Sequence, residues 1–79
     1  MITNYTLEFI LHAKNCSVKV IKTSLEEFGD HLVISQNLEE NESCNYNVRM
    51  VTEDPTLVFD LCAQFGRIRS VKVHENHAA

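Results

Sequence analysis

The fold of this chain is decided by one stretch, NVRMVTEDPTLVFDLCAQFGRIRSVKV, which runs from Asn47 to Val73. Residues 47–52 predict a strand. Asp54-Pro55 predicts a helix start. The Asp side chain can accept a hydrogen bond from the free N–H groups of the first turn, and proline at the first helical position loses no hydrogen bond of the helix. Phe65-Gly66 predicts the end of that helix, with glycine in the C-terminal turn. Residues 68–73 then predict a second strand, so the stretch indicates an architecture of strands packed against helices.

The helix in this stretch has one apolar side, which is predicted to face the core. That side consists of Val58, Leu61, Cys62 and Phe65. We interpret Cys62 as a small core residue, since free cysteine is among the most buried residue types. Cys16 and Cys44 lie in predicted loops, and the three cysteines form no C-x-x-C pair. The cysteine pattern therefore supports neither a disulfide framework nor a zinc knuckle.

The first half of the chain repeats the same order of elements. Residues 5–12 alternate between apolar and polar side chains, as a strand with one buried side does. Ser17 is predicted to cap a helix, Gly29 to end it in the left-handed conformation, and residues 31–36 to form a strand. Residues 37–45, which are acidic and rich in Asn, predict a long hairpin loop. The core side of the first helix would consist of Val18, Ile21, Leu25 and Phe28.

The resulting order, βαββαβ, predicts an α+β fold of the ferredoxin-like or ACT-like type, a two-layer sandwich. Right-handed crossovers place its antiparallel strands in the order 4-1-3-2, with both helices on one face of the sheet. Residues 1–74 would form a single domain and residues 75–79 a flexible tail. The helices are expected to shield Leu7, Phe9, Leu11, Leu32, Ile34, Tyr46, Val48, Met50, Val71 and Val73.

The other face of the sheet is predicted to be bare, and it is the expected functional surface. It would carry Thr6, Glu8, Ile10, His12, His31, Val33, Ser35, Asn47, Arg49, Val51, Ser70, Lys72 and His74. Its mixture of apolar and charged groups is typical of a contact surface. The residues expected to form an interface are Glu8, Ile10, Val33, Arg49, Val51 and Lys72. A cross-strand ion pair of Glu8 with Arg49 or Lys72 is the alternative interpretation of the same charges.

Composition excludes several classes of protein. The chain has 79 residues, of which 44% are hydrophobic and 23% charged, as in an ordinary small globular domain. A net charge of −4 argues against a nucleic-acid partner, which would require clustered basic residues. No apolar run is long enough to span a membrane, and the first residues do not show the basic region followed by an apolar stretch that is typical of a signal peptide. These features favour a cytoplasmic protein.

An enzyme is the least favoured class. The possible acids and bases are His12, His31, His74 and Glu8, which lie on a predicted bare face of the sheet. No nucleophile occurs at a sequence spacing from them that is typical of a catalytic site. Only two glycines occur, too far apart for a phosphate-binding loop. His74 and His77 could hold a metal only if the tail were helical. We therefore predict no catalytic residues, no cofactor and no metal.

Four pieces of the sequence carry a family resemblance, in the right order and over nearly the whole chain. They are YTLEFIL at 5–11, LEEFGDHLVI at 25–34, VTEDP at 51–55 and QFGRI at 64–68. They resemble the middle domain of bacterial fatty acid kinase, which belongs to the dihydroxyacetone-kinase-like superfamily. The corresponding motifs of that domain are Y-C-T-E-F-I-L, L-E-x-x-G-D-S-L-V-V, V-H-V-H-T-x-x-P and x-x-x-G-x-I. The predicted loop at 37–45 is longer than the family's usual turn, which indicates either a divergent member or a stand-alone relative.

The resemblance implies a non-catalytic scaffold that forms homodimers. In that family the domain links an ATP-binding kinase domain to a domain that engages a fatty-acid-carrying partner protein. Some members also bind zinc through the Cys of the first motif and both His of the third. In this sequence those positions are Thr6, Arg49 and Val51, none of which is a good zinc ligand.

The fold also allows a second function, a regulatory module that binds a small molecule, as ACT-type domains do. This alternative depends on fold analogy alone. It remains open beside the dimerising scaffold.

Overall fold

A computed structural model describes residues 3–13, 17–37 and 44–76. Six elements follow one another in the predicted order βαββαβ. They are β1 (Asn4–Ala13), α1 (Val18–Glu26), β2 (Asp30–Asn37), β3 (Cys44–Thr52), α2 (Pro55–Ala63) and β4 (Gly66–Asn76). The strands form one antiparallel sheet in the order β2-β3-β1-β4, which is the predicted order read from the other edge. The predicted α+β sandwich is therefore confirmed.

One apolar cluster joins the helices to a single face of the sheet. Leu7 and Leu11 of β1 lie in this cluster with Ile21 of α1 and Val58 of α2, and all four are fully buried. The cluster also contains Phe9, Ala13, Leu25, Tyr46, Val48, Met50 and Cys62. The rings of Phe9 and Phe59 meet edge to face, with centroids 5.5 Å apart. Because every second residue of β1 and β3 enters the cluster, the residues between them lie on the uncovered face.

The predicted core is wrong at three valines. Val71 and Val73 of β4 are 47% and 50% exposed, and Val18 is 38% exposed at the first position of α1. The nine residues of α2 extend about 13 Å, whereas the 11 residues of β4 extend about 36 Å. A helix of that length cannot cover the whole strand, so the second half of this edge strand remains bare.

Both predicted helix starts are confirmed. The Ser17 hydroxyl accepts a hydrogen bond from the Val20 N–H of α1 at 3.2 Å. The Asp54 carboxylate accepts one from the Leu57 N–H of α2 at 3.2 Å, with Pro55 in the first turn. Each side chain satisfies an N–H group that has no partner within its helix.

The left-handed conformation predicted for Gly29 is wrong, because neither Gly29 nor Gly66 has a positive φ. Close backbone contact is the actual reason for both. A Cβ on Gly29 would overlap the carbonyl oxygen of Val51, and one on Gly66 would overlap the carbonyl oxygen of His12. Only glycine allows the chain to pass this close to a neighbouring strand.

Two β-bulges alter the edge strands. In β2, two residues between Asp30 and Val33 lie opposite one residue of β3, and His31 there has a φ of 55°. In β4 the extra residue falls between Arg69 and Lys72, where Ser70 has a φ of 56°. An extra residue reverses the inside–outside alternation beyond it. The sequence, read as uninterrupted strands, does not reveal either bulge.

Two predicted boundaries also change. Asn37, Cys44 and Asn45, which the sequence places in a loop, belong to strands, because β2 ends at Asn37 and β3 begins at Cys44. Residues 38–43 lie outside the described residues. Residues 75 and 76, predicted to be part of a flexible tail, pair with Tyr5 and Asn4 as the end of β4. Cys16 and His77 lie outside the described residues.

Thr52 joins the two halves of the domain. Its side chain is 3% exposed, and its hydroxyl donates a hydrogen bond to the Phe28 carbonyl at 2.7 Å. The same oxygen accepts one from the Asp54 N–H at 3.1 Å. The hydroxyl thus connects the turn after α1, the end of β3 and the start of α2.

Replacing Thr52 with Val keeps the shape of the side chain and removes this hydroxyl. We expect the free energy of unfolding to fall by about 1–3 kcal/mol, because Phe28 and Asp54 lose their partner. Urea denaturation followed by circular dichroism measures the change. Thr23→Val is the matched control, since it removes an exposed hydroxyl that donates to the Lys19 carbonyl within α1, and it should change stability by less than about 0.5 kcal/mol. Equal losses in both variants would contradict the role of Thr52.

Candidate functional site: the open sheet face

The face of the sheet that carries no helix, called the open face below, is a regular array of side chains. Most of its residues form four rows across the sheet, because paired residues of neighbouring strands point to the same side. From β2 to β4, the rows are Asp30, Val51, Thr6 and His74; Val33, Arg49, Glu8 and Lys72; Ser35, Asn47, Ile10 and Arg69; and Asn45, His12 and Arg67.

The six residues predicted to form an interface occupy the first three rows. Val33 is 56% exposed, whereas Ile10 and Val51 are half-buried among their neighbours. A cavity of about 340 Å³ lies over this region, and Glu8, Ile10, Val33, Arg49 and Lys72 are among its lining residues. The structure therefore brings the predicted residues together on one surface.

The predicted ion pair between Glu8 and Arg49 is present but weak. The Arg49 Nε and Glu8 Oε2 atoms are 4.0 Å apart, and more than half of each side chain is exposed. Exposed pairs of this kind contribute about 0–1 kcal/mol. The pair alone therefore gives no strong structural reason for this arrangement of charges.

The open face is more basic than the sequence indicates. Besides Arg49 and Lys72 it carries Arg67 and Arg69, which lie opposite His12 and Ile10. Strict alternation along β4 would place both arginines on the helix side, and only the bulge beside Ser70 turns them outward. Four of the chain's seven Lys and Arg residues therefore lie here.

Charge is divided unevenly as a result. Glu8 and Asp30 are the carboxylates in the four rows, which gives the open face a formal charge of +2. Since the whole chain carries −4, the remainder carries −6. A chain that is acidic in composition thus has a basic face, which net charge alone conceals.

A second cavity lies near the turn that connects α2 to β4, at the corner of the open face. It has a volume of about 570 Å³ and is lined by His12, Phe65, Gly66, Arg67 and Arg69. The Nδ1 atom of His12 is 2.7 Å from the Asn45 Oδ1 atom, which holds the ring in place and leaves Nε2 as its other polar atom. Sequence reasoning missed this cavity, because its arginines depend on the bulge.

The structure does not bring the possible acids and bases together. His12 lies in the last row, Glu8 in the second and His74 in the first. His31 lies in the bulge of β2, on the opposite edge from His74. These side chains are therefore too dispersed to act together as nucleophile, acid and base.

The residues at the positions of the family's zinc ligands do not fit that metal. Thr6 lies directly opposite Val51, and Arg49 lies one row away on the same strand as Val51. A hydroxyl, a guanidinium and an isopropyl group provide no thiolate or imidazole for zinc. Within residues 3–13, 17–37 and 44–76, no group of three His, Cys, Asp or Glu side chains is suited to hold a metal ion.

Adjacent positions of this kind should nevertheless accept a metal once they carry the right ligands. We expect the triple variant Thr6→Cys, Arg49→His, Val51→His to bind zinc with 1:1 stoichiometry, and the unsubstituted chain not to do so. Isothermal titration calorimetry measures both, and Co²⁺ absorption reports thiolate ligation. A triple variant that binds no zinc would show that the three positions are too far apart to share a metal.

Cys62 is fully buried in the core, as its place on the apolar side of α2 predicts. Burial disfavours the thiolate and raises the pKa of Cys62 to about 11. The thiol is therefore protonated at neutral pH and is not a nucleophile in the folded chain.

We expect Cys62 to resist thiol reagents at pH 8, where a thiol with a pKa of about 11 is ionised in roughly one molecule in a thousand. The measurement is the rate of reaction with a disulfide reagent in a chain with Cys16→Ser and Cys44→Ser. Addition of urea provides the control, because unfolding exposes Cys62. Fast labelling without urea would contradict the structure.

No helix within the described residues is both long and apolar enough to cross a membrane. This finding agrees with the lengths of α1 and α2, which have nine residues each.

Comparison with known proteins identifies one family. The family model that describes the middle domain of FakA-like fatty acid kinase proteins matches residues 3–78, nearly the whole chain. No curated protein and no solved structure matches the chain significantly.

Proposed function

Because the chain belongs to the FakA-like fatty acid kinase middle domain family, we propose that it is a non-catalytic scaffold domain that forms homodimers through its open sheet face. In this proposal the domain links a kinase domain to a domain that binds a fatty-acid-carrying partner. The parent protein would then be an ATP-dependent fatty acid kinase that acts in the cytoplasm.

The observation that supports this proposal is the one-sided cover of the sheet. The helices bury only one face, while the open face presents Ile10, Val33 and Val51 among polar groups. A domain of this size has a small core and commonly gains stability by pairing. Apolar groups surrounded by charged ones match the usual composition of a protein interface.

The two glycines support a non-catalytic role. Gly29 and Gly66 each lie against a strand carbonyl, where they allow close packing. Neither is therefore available to form the loop of N–H groups that surrounds a nucleotide phosphate. Nucleotide binding and transfer would then belong to another domain of the parent protein.

The charges of the open face define the type of pairing. A twofold dimer brings the same surface together from both copies, so two faces of charge +2 oppose each other. Apolar burial of Ile10 and Val51 must outweigh this repulsion. Salt screens the repulsion, so self-association should strengthen as ionic strength rises. Contact with an acidic partner would weaken instead.

We expect multi-angle light scattering to show a dimer whose population increases with chain and salt concentration. Ile10→Lys and Val51→Lys should each shift the chain toward monomer, because each replaces an apolar group with a further positive charge. Val20→Lys is the matched control, since Val20 is 52% exposed on α1, away from the open face. A wild-type chain that stays monomeric at every concentration would overturn the proposed dimer.

A further inference from the structure

The cavity at the corner of the open face has the properties of an anion site. Two guanidinium groups, Arg67 and Arg69, line it together with the imidazole of His12, and no carboxylate of the described residues does. Its volume, about 570 Å³, is within the usual range for small-molecule sites. His12 and Arg67 lie in the fourth row, beyond the residues of the proposed dimer contact, whereas Arg69 shares the third row with Ile10.

Both arginines are free to bind a ligand. In the part of the chain that the structure describes, Arg49 is the basic residue that pairs with a carboxylate, whereas Arg67 and Arg69 do not pair with one. Their positions in β4 are two residues apart, so they project from the same side of the strand. Each therefore retains its planar set of N–H donors, which matches the oxygens of an anion.

The site is built on rigid backbone. Gly66 passes so close to the His12 carbonyl that it has no room for a Cβ, which holds β4 tightly against β1 at the cavity. The Asn45 side chain fixes the His12 ring from the neighbouring strand β3. The backbone of the site and the His12 ring are thus positioned before a ligand arrives, which reduces the entropy lost on binding.

We propose that this corner binds a phosphate monoester with an apolar organic group. A carboxylate has two oxygens and is satisfied by one guanidinium, whereas a phosphate has three terminal oxygens that can accept hydrogen bonds from two guanidiniums. The half-buried ring of Phe65 forms the apolar part of the lining and would contact the organic group.

Amide chemical shifts of the 15N-labelled chain, recorded at constant ionic strength, test the proposal. Phenyl phosphate should cause saturable shifts centred on His12, Gly66, Arg67 and Arg69. Benzoate, which has the same ring with a carboxylate, should bind about tenfold more weakly or worse, since it loses charge-assisted hydrogen bonds. Inorganic phosphate should shift the same amides at higher concentration. Shifts spread over the whole basic face, or equal binding of benzoate, would overturn the proposal.

Paired variants separate a built site from general attraction by positive charge. The double variant Arg67→Gln, Arg69→Gln should weaken phenyl phosphate binding about tenfold or more. Lys19→Gln, Lys22→Gln removes the same two charges from exposed positions of α1 and should change it less than about twofold. Equal weakening in both would overturn the site. The amide spectrum shows whether each variant is folded, and light scattering reports dimerisation independently.

Discussion

The structure depends on one close contact, between the turn after α1 and the end of β3. Gly29 lies so near the Val51 carbonyl that no side chain fits between them, and the next residue, Thr52, holds the Phe28 carbonyl with its buried hydroxyl. The same hydroxyl accepts the Asp54 N–H, where α2 begins. A break at this point would therefore disturb both βαβ units together.

The same contact helps to keep both helices on one side of the sheet. With both helices held on one side, the hydrophobic energy of the domain is concentrated in a single layer, and the other side of the sheet is left to polar and charged groups. The open face is thus a consequence of the topology. Which residues it displays is decided by a second feature, the bulge beside Ser70, which adds Arg67 and Arg69 to Arg49 and Lys72. One extra strand residue thereby makes the face of an acidic chain basic.

Sequence reasoning succeeded where the physical signal is local. The Ser17 and Asp54 caps, the buried stripe with Val58 and Cys62, and the alternation along β1 each depend on residues a few positions apart. The family resemblance, carried by ordered pieces of sequence, agreed with the family match to residues 3–78. The errors occurred where distant segments meet. Glycine next to a helix end usually indicates a left-handed turn, but Gly29 and Gly66 are required by strands far away in the sequence.

The sequence by itself determined the order of the elements, the buried side of each helix and the family to which the chain belongs. Helix caps, hydrophobic periodicity and motifs each depend on residues that are close in the sequence. Tertiary structure alone decided the bulges, the exposure of Val71 and Val73 and the corner cavity. The physical reason is that a strand's register, and the length of strand that a helix covers, are set by pairing and packing with partners elsewhere in the chain. The residue pattern within one strand does not reveal those partners.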